Sequence, residues 1–194
     1  MIAHDTSFNR VSNATMLFHS TDLAGAWLIE PELVSDERGA FARTWCAKEF
    51  EEQGLNSRLV QCNLSINTRA GTVRGMHFQR EPHSEAKLVR CTRGAIYDVI
   101  VDLRPDSPTY RRWQGFELTA TNHRQLYIPE QFAHGFQTLT DDSEVCYQMS
   151  REYHAASATG VRWDDPTIAV EWPREITLTS QRDRTWPELI STKA

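Results

Sequence analysis

Positive charge is in short supply. The chain carries 21 Lys and Arg against 26 Asp and Glu, a formal net charge of -5, so it lacks the cationic excess with which a general nucleic-acid binder neutralises phosphates, and any phosphate site has to be local. Long apolar runs are missing as well. None approaches the roughly 18 residues of a membrane span, and the start Met1-Ile2-Ala3-His4-Asp5 has no basic-then-apolar layout of a signal peptide. Neither a nucleic-acid nor a membrane partner is expected, and the expected location is cytoplasmic. Cysteine is sparse: Cys46, Cys62, Cys91 and Cys146 are spread singly, without the close pairs of a zinc or redox motif. In that compartment they read as reduced packing residues, a disulfide pair being the alternative.

What remains is an ordinary globular balance, 40% hydrophobic and 24% charged over 194 residues, enough for one domain with a real core. Helix is scarce. The best segment is Ala47 to Gln53 with Gly54 behind it as a terminator, and a shorter turn is expected from Ser180 to Arg184. Strand patterns dominate: Val60, Cys62, Leu64 and Ile66 alternate with Gln61, Asn63 and Ser65, and Tyr97, Val99, Val101 and Leu103 alternate with Asp98, Ile100 and Asp102. A period of two is that of a half-buried strand. Turn signals at 67–71, 92–94, 105–108 and 141–143 keep the runs short. Many short strands with little helix predict an all-β sandwich or barrel, most economically a jelly roll. Residues 1–14 read as a loose tail before a single domain over the rest of 1–194.

Ionisable groups then appear inside strand-like sequence. Arg74-Gly75-Met76-His77-Phe78-Gln79 and Glu85-Ala86-Lys87-Leu88-Val89-Arg90 place a histidine, a lysine and two arginines where a buried strand needs none. Gly71 with His77, and Pro129 with His134, resemble the two half-motifs of cupin jelly rolls, whose metal-binding members carry a second histidine where this chain has Gln79. Gln131 stands for the usual glycine, and Glu85 lies beyond the usual acidic position. Two histidines and one carboxylate fall short of the three or four protein ligands a metal needs, and the Lys87 ammonium opposes a cation. No metal is expected.

Several segments in order, Arg74 to Gln79, Lys87 to Arg90, Val101-Asp102-Leu103-Arg104, Ile128-Pro129 with Phe132-Ala133-His134-Gly135-Phe136, and Arg162-Trp163-Asp164-Asp165-Pro166, are similar to the dTDP-4-dehydrorhamnose 3,5-epimerase family, from about Leu28 to Asp183. The resemblance implies a cupin-like double-stranded β-helix, a homodimer without metal or organic cofactor, and epimerisation at C3, C5 or both of a nucleoside-diphosphate 4-keto-6-deoxyhexose. It implies roles too: His77 as base, Asp183 as its acidic partner, Tyr147 as donor on the opposite face, and Lys87 near the C4 oxygen. Arg38, Phe41 and Arg74 would meet the nucleotide and its diphosphate, Gln61 and Asn63 would add neutral hydrogen bonds, and His134 would line the sugar pocket. The residue types suit the reaction: hydrogens beside a ketone are acidic, histidine titrates near neutrality, and a fixed cation stabilises charge that exists only as the enolate forms. Arg43 and Glu152 depart from the pattern expected for dTDP sugars, with Tyr153 next to Glu152 as a possible stacking group, so thymidine, cytidine and guanosine diphosphate sugars stay open. Two other classes compete, a metal-dependent cupin isomerase or oxygenase and a non-catalytic sugar-binding cupin.

Overall fold

The computed structural model describes residues 15–189; the expected tail at 1–14 lies outside them. The strands are β1 (Met16–Ser20), β2 (Trp27–Pro31), β3 (Val34–Asp36), β4 (Gly39–Phe41), β5 (Gln61–Asn67), β6 (Thr72–Gln79), β7 (Lys87–Arg93), β8 (Ala95–Asp102), β9 (Trp113–Thr119), β10 (Gln125–Ile128), β11 (Phe132–Thr138), β12 (Ser143–Met149), β13 (Ala158–Gly160) and β14 (Leu178–Thr179). Among the described residues two short helices join them, α1 (Ala47–Glu52) and α2 (Gln181–Arg184). One sheet runs β1-β2-β10-β7-β12-β5, the other β13-β6-β11-β8-β9 with β14 on β6, and β3-β4 form a separate hairpin. This is the jelly roll that the strand-rich, helix-poor sequence predicts.

Alternation along the strands builds the core. Val89, Cys91, Leu126, Ile128 and Val145 of the first sheet meet Ile96, Ile100, Leu118, Phe132 and Phe136 of the second, each fully buried large side chain contributing about 1.5–3 kcal/mol. Helix α1 covers the outer face of the first sheet through Phe50, whose ring meets Phe18 at 5.4 Å and Tyr127 at 5.9 Å. Gly54 follows it at φ +71, the left-handed position that glycine adopts without strain.

Two strands differ from the simple half-buried expectation. β8 is buried on both faces, because Val99 and Val101, which point away from the partner sheet, are covered by Val161 and Ile168 of the C-terminal segment. β5 turns its apolar side outward: Leu64 and Ile66 are 56% and 61% exposed, while Gln61, Asn63 and Ser65 face inward. The period was right, but the polar face is the one that looks into the molecule. The cysteines are all free, and Cys91 is buried as expected, yet Cys62 is exposed on that same outer face of β5.

Asp102, from the Val-Asp-Leu-Arg segment, is a structural anchor. It is fully buried and accepts from Arg104 Nε at 2.9 Å, Arg104 Nη2 at 2.7 Å, Ser107 Oγ at 2.5 Å and Thr109 Oγ1 at 2.6 Å. Burial pushes its carboxyl up, but these donors outweigh burial and hold it at about 2. Because the folded value lies below the unfolded one, Asp102 contributes about 2 kcal/mol above pH ~4, lost as pH falls towards 2. Asp102→Ala, which strands a half-buried guanidinium and two hydroxyls, is expected to cost about 3–5 kcal/mol. Urea unfolding at pH 7 reads it, and a loss below about 1 kcal/mol would show the cluster to be dispensable.

Candidate active site

The geometry of β6 creates the site. Gly75 sits at φ +141, and a Cβ there would lie 2.5 Å from the Gly135 Cα of β11, so the two backbones touch only because both positions are glycine. The pairing slips at this point: His134 pairs with His77 but Phe136 with Arg74, which leaves one extra residue on β6. In a regular strand, residues 74 and 77 point to opposite faces. The inserted residue reverses the alternation, and Arg74 and His77 line the same cavity.

That cavity, of about 680 Å³, opens between the sheets. Arg74, His77 and His134 come from the second sheet, and Gln61, Asn63, Lys87 and Tyr147 from the first, with Asp183 and Arg182 of α2 at one end. Eight of the ten residues singled out in the sequence converge here. Arg38 and Phe41 do not: they lie on the exposed β3-β4 hairpin outside the cavity lining, where Arg38 pairs with Asp36.

His77 and Asp183 form a dyad across 106 residues of chain, with Nε2 2.6 Å from Oδ1. Asp183 is buried at the start of α2, where its amide donates to the capping Ser180 hydroxyl at 3.1 Å. Burial pushes the Asp183 carboxyl up, yet the His77 hydrogen bond and charge, with the Ser180 and Gly75 contacts, hold it below the usual carboxylate range. An ionised carboxylate only accepts. His77 therefore presents Nε2–H to Asp183 and keeps its free lone pair on Nδ1. Its side chain is 45% exposed and lines the cavity.

Lys87 is buried, its Nζ 2.9 Å from Glu85 Oε1 and 3.3 Å from the His77 carbonyl. Tyr147 stands on the opposite wall from His77, half-buried. Burial pushes its phenol above the ordinary value, against the opposing field of Arg74, so it stays protonated through the neutral range. His134 holds both oxygens of the fully buried Asp98 through Nε2, at 3.1 and 2.9 Å. On β5, Gln61 Nε2 donates to Asn63 Oδ1 at 3.1 Å, and Gln61 Oε1 accepts from the Tyr153 amide at 2.9 Å. Arg74 Nε donates to Asn67 at 2.7 Å.

Other residues escaped the sequence reading. Trp186 donates to Asp183 Oδ1 at 3.3 Å and lies edge-on to the His77 ring at 6.3 Å, with the Arg182 guanidinium over its face at 4.8 Å. Trp186 lies two residues beyond the end of α2, and nothing in the local pattern signals its contact with Asp183. Gln79, at the position of a second metal-binding histidine, instead ties two loops together: Nε2 donates to the carbonyls of His83 and Glu152, and Oε1 accepts from the His154 amide. Arg43 is paired with Glu49 at 2.6 Å and, like Glu152, stands outside the cavity lining, whereas Tyr153 lies on it.

Comparison with known proteins identifies the family. The family model for dTDP-4-dehydrorhamnose 3,5-epimerase matches residues 20–191. The dTDP-4-dehydrorhamnose 3,5-epimerase of Methanothermobacter thermautotrophicus is 46% identical over 179 residues, covering 91% of this chain and 96% of that protein. The Bacillus anthracis epimerase, solved with TDP and pyrophosphate bound, superposes with a TM-score of 0.87 at 44% identity, covering 90% of this chain and 100% of that one. The Legionella pneumophila enzyme, solved with dTDP-4-keto-L-rhamnose, does so with a TM-score of 0.81 at 37% identity, covering 87% of this chain and 90% of that one. The chain belongs to the dTDP-4-dehydrorhamnose 3,5-epimerase family, and it is an isomerase acting on carbohydrates.

Proposed function

We propose that the chain inverts C3, C5 or both of a nucleoside-diphosphate 4-keto-6-deoxyhexose, in the conversion of dTDP-4-dehydro-6-deoxyglucose to dTDP-4-dehydrorhamnose or a close analogue. The observation that carries the reading is the placement of a carboxylate-backed histidine and a neutral phenol on opposite walls of one cavity, with the buried ammonium of Lys87 on the same lining. Inversion needs this arrangement, because the proton must leave one face of the carbon and return on the other.

His77 Nδ1 takes the hydrogen from the carbon beside the ketone, and the C–H electron pair moves into the enolate, with charge on the C4 oxygen. Asp183 stabilises the imidazolium that results and holds the ring in its working orientation. The Lys87 ammonium faces the oxygen as charge accumulates, which stabilises the transition state more than the bound ketone. The Tyr147 hydroxyl gives its proton to the opposite face of the carbanion. Proton exchange with water then returns His77 to its neutral form and Tyr147 to the phenol. Arg74 and Arg182, which both line the cavity, supply guanidinium groups for the diphosphate, His134 lines the sugar end, and Gln61 and Asn63 offer amide hydrogen bonds. No step asks for a metal or an organic cofactor.

The enzyme acts as a homodimer in the cytoplasm. The outward face of the edge strand β5, with Leu64 and Ile66, and the β3-β4 hairpin, with Phe41 48% exposed, offer apolar surface of the kind that a second copy covers. Arg38 and Phe41, outside the cavity lining of their own chain, would reach substrate across such an interface.

Incubating the protein with dTDP, CDP and GDP 4-keto-6-deoxy sugars in deuterated water tests the reading. Deuterium is expected at C3, C5 or both of at least one of them, followed by proton NMR, and the productive member identifies the nucleobase and the centre. The absence of uptake with every substrate would remove the epimerase assignment, and sedimentation as a monomer would remove the dimer.

A further inference from the structure

Glu85 has no part in the scheme above, yet it is one of the most enclosed charges of the cavity wall, with its side chain 3% exposed. One carboxylate oxygen, Oε1, lies 2.9 Å from Lys87 Nζ. The other, Oε2, is buried with no hydrogen-bond partner among the described residues. A buried carboxylate left half-unmatched is costly to keep, so the contact it does make has to matter.

The surrounding backbone is held on both sides of it. Ala86 N donates to the Ser150 hydroxyl at 2.8 Å, Ser150 N donates back to the Ala86 carbonyl at 2.9 Å, and the Ser84 hydroxyl accepts from Gln131 N at 2.8 Å. Glu85 is thus presented from a fixed stretch. Lys87 carries a compact cation on a flexible four-carbon stem with three donors. One donor goes to Glu85 and one to the His77 carbonyl, and the tetrahedral ammonium then has a single direction left for its third N–H.

We propose that Glu85 is the positioning residue for Lys87: its fixed carboxylate, with the His77 carbonyl, pins the ammonium so that the remaining N–H meets the oxygen on which enolate charge develops. The inference rests on the reading of Lys87 as the partner of that oxygen. It has a distinctive kinetic consequence. The C4 oxygen is common to the enolates formed towards C3 and towards C5, so loosening Lys87 slows exchange at both centres by the same factor. A residue that touched a sugar hydroxyl itself would act on one centre more than the other.

The test is a comparison of deuterium exchange at C3 and C5 in the wild type, Glu85→Gln, Glu85→Leu, Lys87→Met and the two double variants with Lys87→Met, on a substrate whose C3 and C5 hydrogens the wild type both exchanges. Glu85→Gln keeps an acceptor oxygen for Lys87 and the side-chain shape, and it remains informative if Glu85→Leu folds poorly. The expected kcat loss is ~10–100-fold for the leucine variant and below ~10-fold for glutamine, equal at the two centres, with KM changed less than ~2-fold. In the Lys87→Met background either change at Glu85 is expected to add less than ~3-fold. Unequal slowing of the two centres, a full further loss in the Lys87→Met background, or a raised KM at unchanged kcat overturns the positioning role. A wild type that exchanges no hydrogen with any substrate removes the epimerase reading itself, which is a separate result from a wild type that exchanges and Glu85 variants that match it.

Discussion

His77→Asn is expected to lower deuterium uptake and epimerisation together by about 10³-fold, at every centre that the wild type exchanges. The asparagine amide reaches only to where Nδ1 lies, so the buried Asp183 carboxylate, which in the wild type sits 2.6 Å from His77 Nε2, loses the imidazole but keeps the Trp186 and Gly75 donors, and the thermal midpoint should fall modestly while the fold persists. What disappears is the basic lone pair of Nδ1. Without it no group on that wall removes a carbon-bound hydrogen, and because the His77 side chain is 45% exposed, its loss leaves no large buried void to disturb binding. KM should therefore stay within about threefold of the wild type while kcat falls. Exchange within tenfold of the wild-type rate, in a variant with normal circular dichroism, would show that another base takes the proton.

Tyr147→Phe separates the two halves of the reaction. His77 remains, so hydrogens can still leave and return on its own face of the sugar, and deuterium should continue to enter with retained configuration. Inversion, which needs a donor on the other wall, is expected to fall about 10²–10⁴-fold. The ratio of exchange to inversion, read from the sugar proton couplings, should rise by a similar factor. In the wild type, burial raises the Tyr147 phenol against the opposing field of Arg74, so the donor stays protonated in the neutral range and the wild-type ratio of exchange to inversion should hold there. Inversion at an undiminished rate in Tyr147→Phe would assign the second proton to a different group, and exchange lost as completely as in His77→Asn would mean that the phenol is needed before the carbon acid ionises.

The two variants also explain why opposite sheets have to meet. A base and an acid on one strand share a face and approach one side of a bound sugar. In this fold His77 comes from β6 and Tyr147 from β12, in different sheets, and the space between the sheets is polar where they and Arg74, Lys87, Gln61 and Asn63 enter it. The same core that holds the sheets apart, built from side chains such as Val89, Ile100 and Phe136, fixes the distance across which the substrate is held.

Much of this was legible in local sequence, and the part that was not has a physical cause. Period-two patterns mark β5 and β8, and Gly54 marks the end of α1 within a residue, because side-chain alternation and left-handed glycine are properties of the chain over a few residues. The same patterns do not say which face of a strand is inward. That depends on what the remainder of the chain lays against each face, and so β5 turns its amides to the cavity and exposes Leu64 and Ile66, while β8 is covered on both sides.

The sequence alone determined the residue types, their order and, through a family resemblance, the set of polar groups that belong to one site. Tertiary structure decided their partnerships. Only the slipped register between β6 and β11 turns Arg74 and His77 to the same side, only the return of the chain to α2 brings Asp183 to His77, and only the loops around Ser84 and Ser150 set Glu85 beside Lys87. Each of these contacts joins elements by non-local packing, and local propensity carries no information about where a distant segment will come to rest.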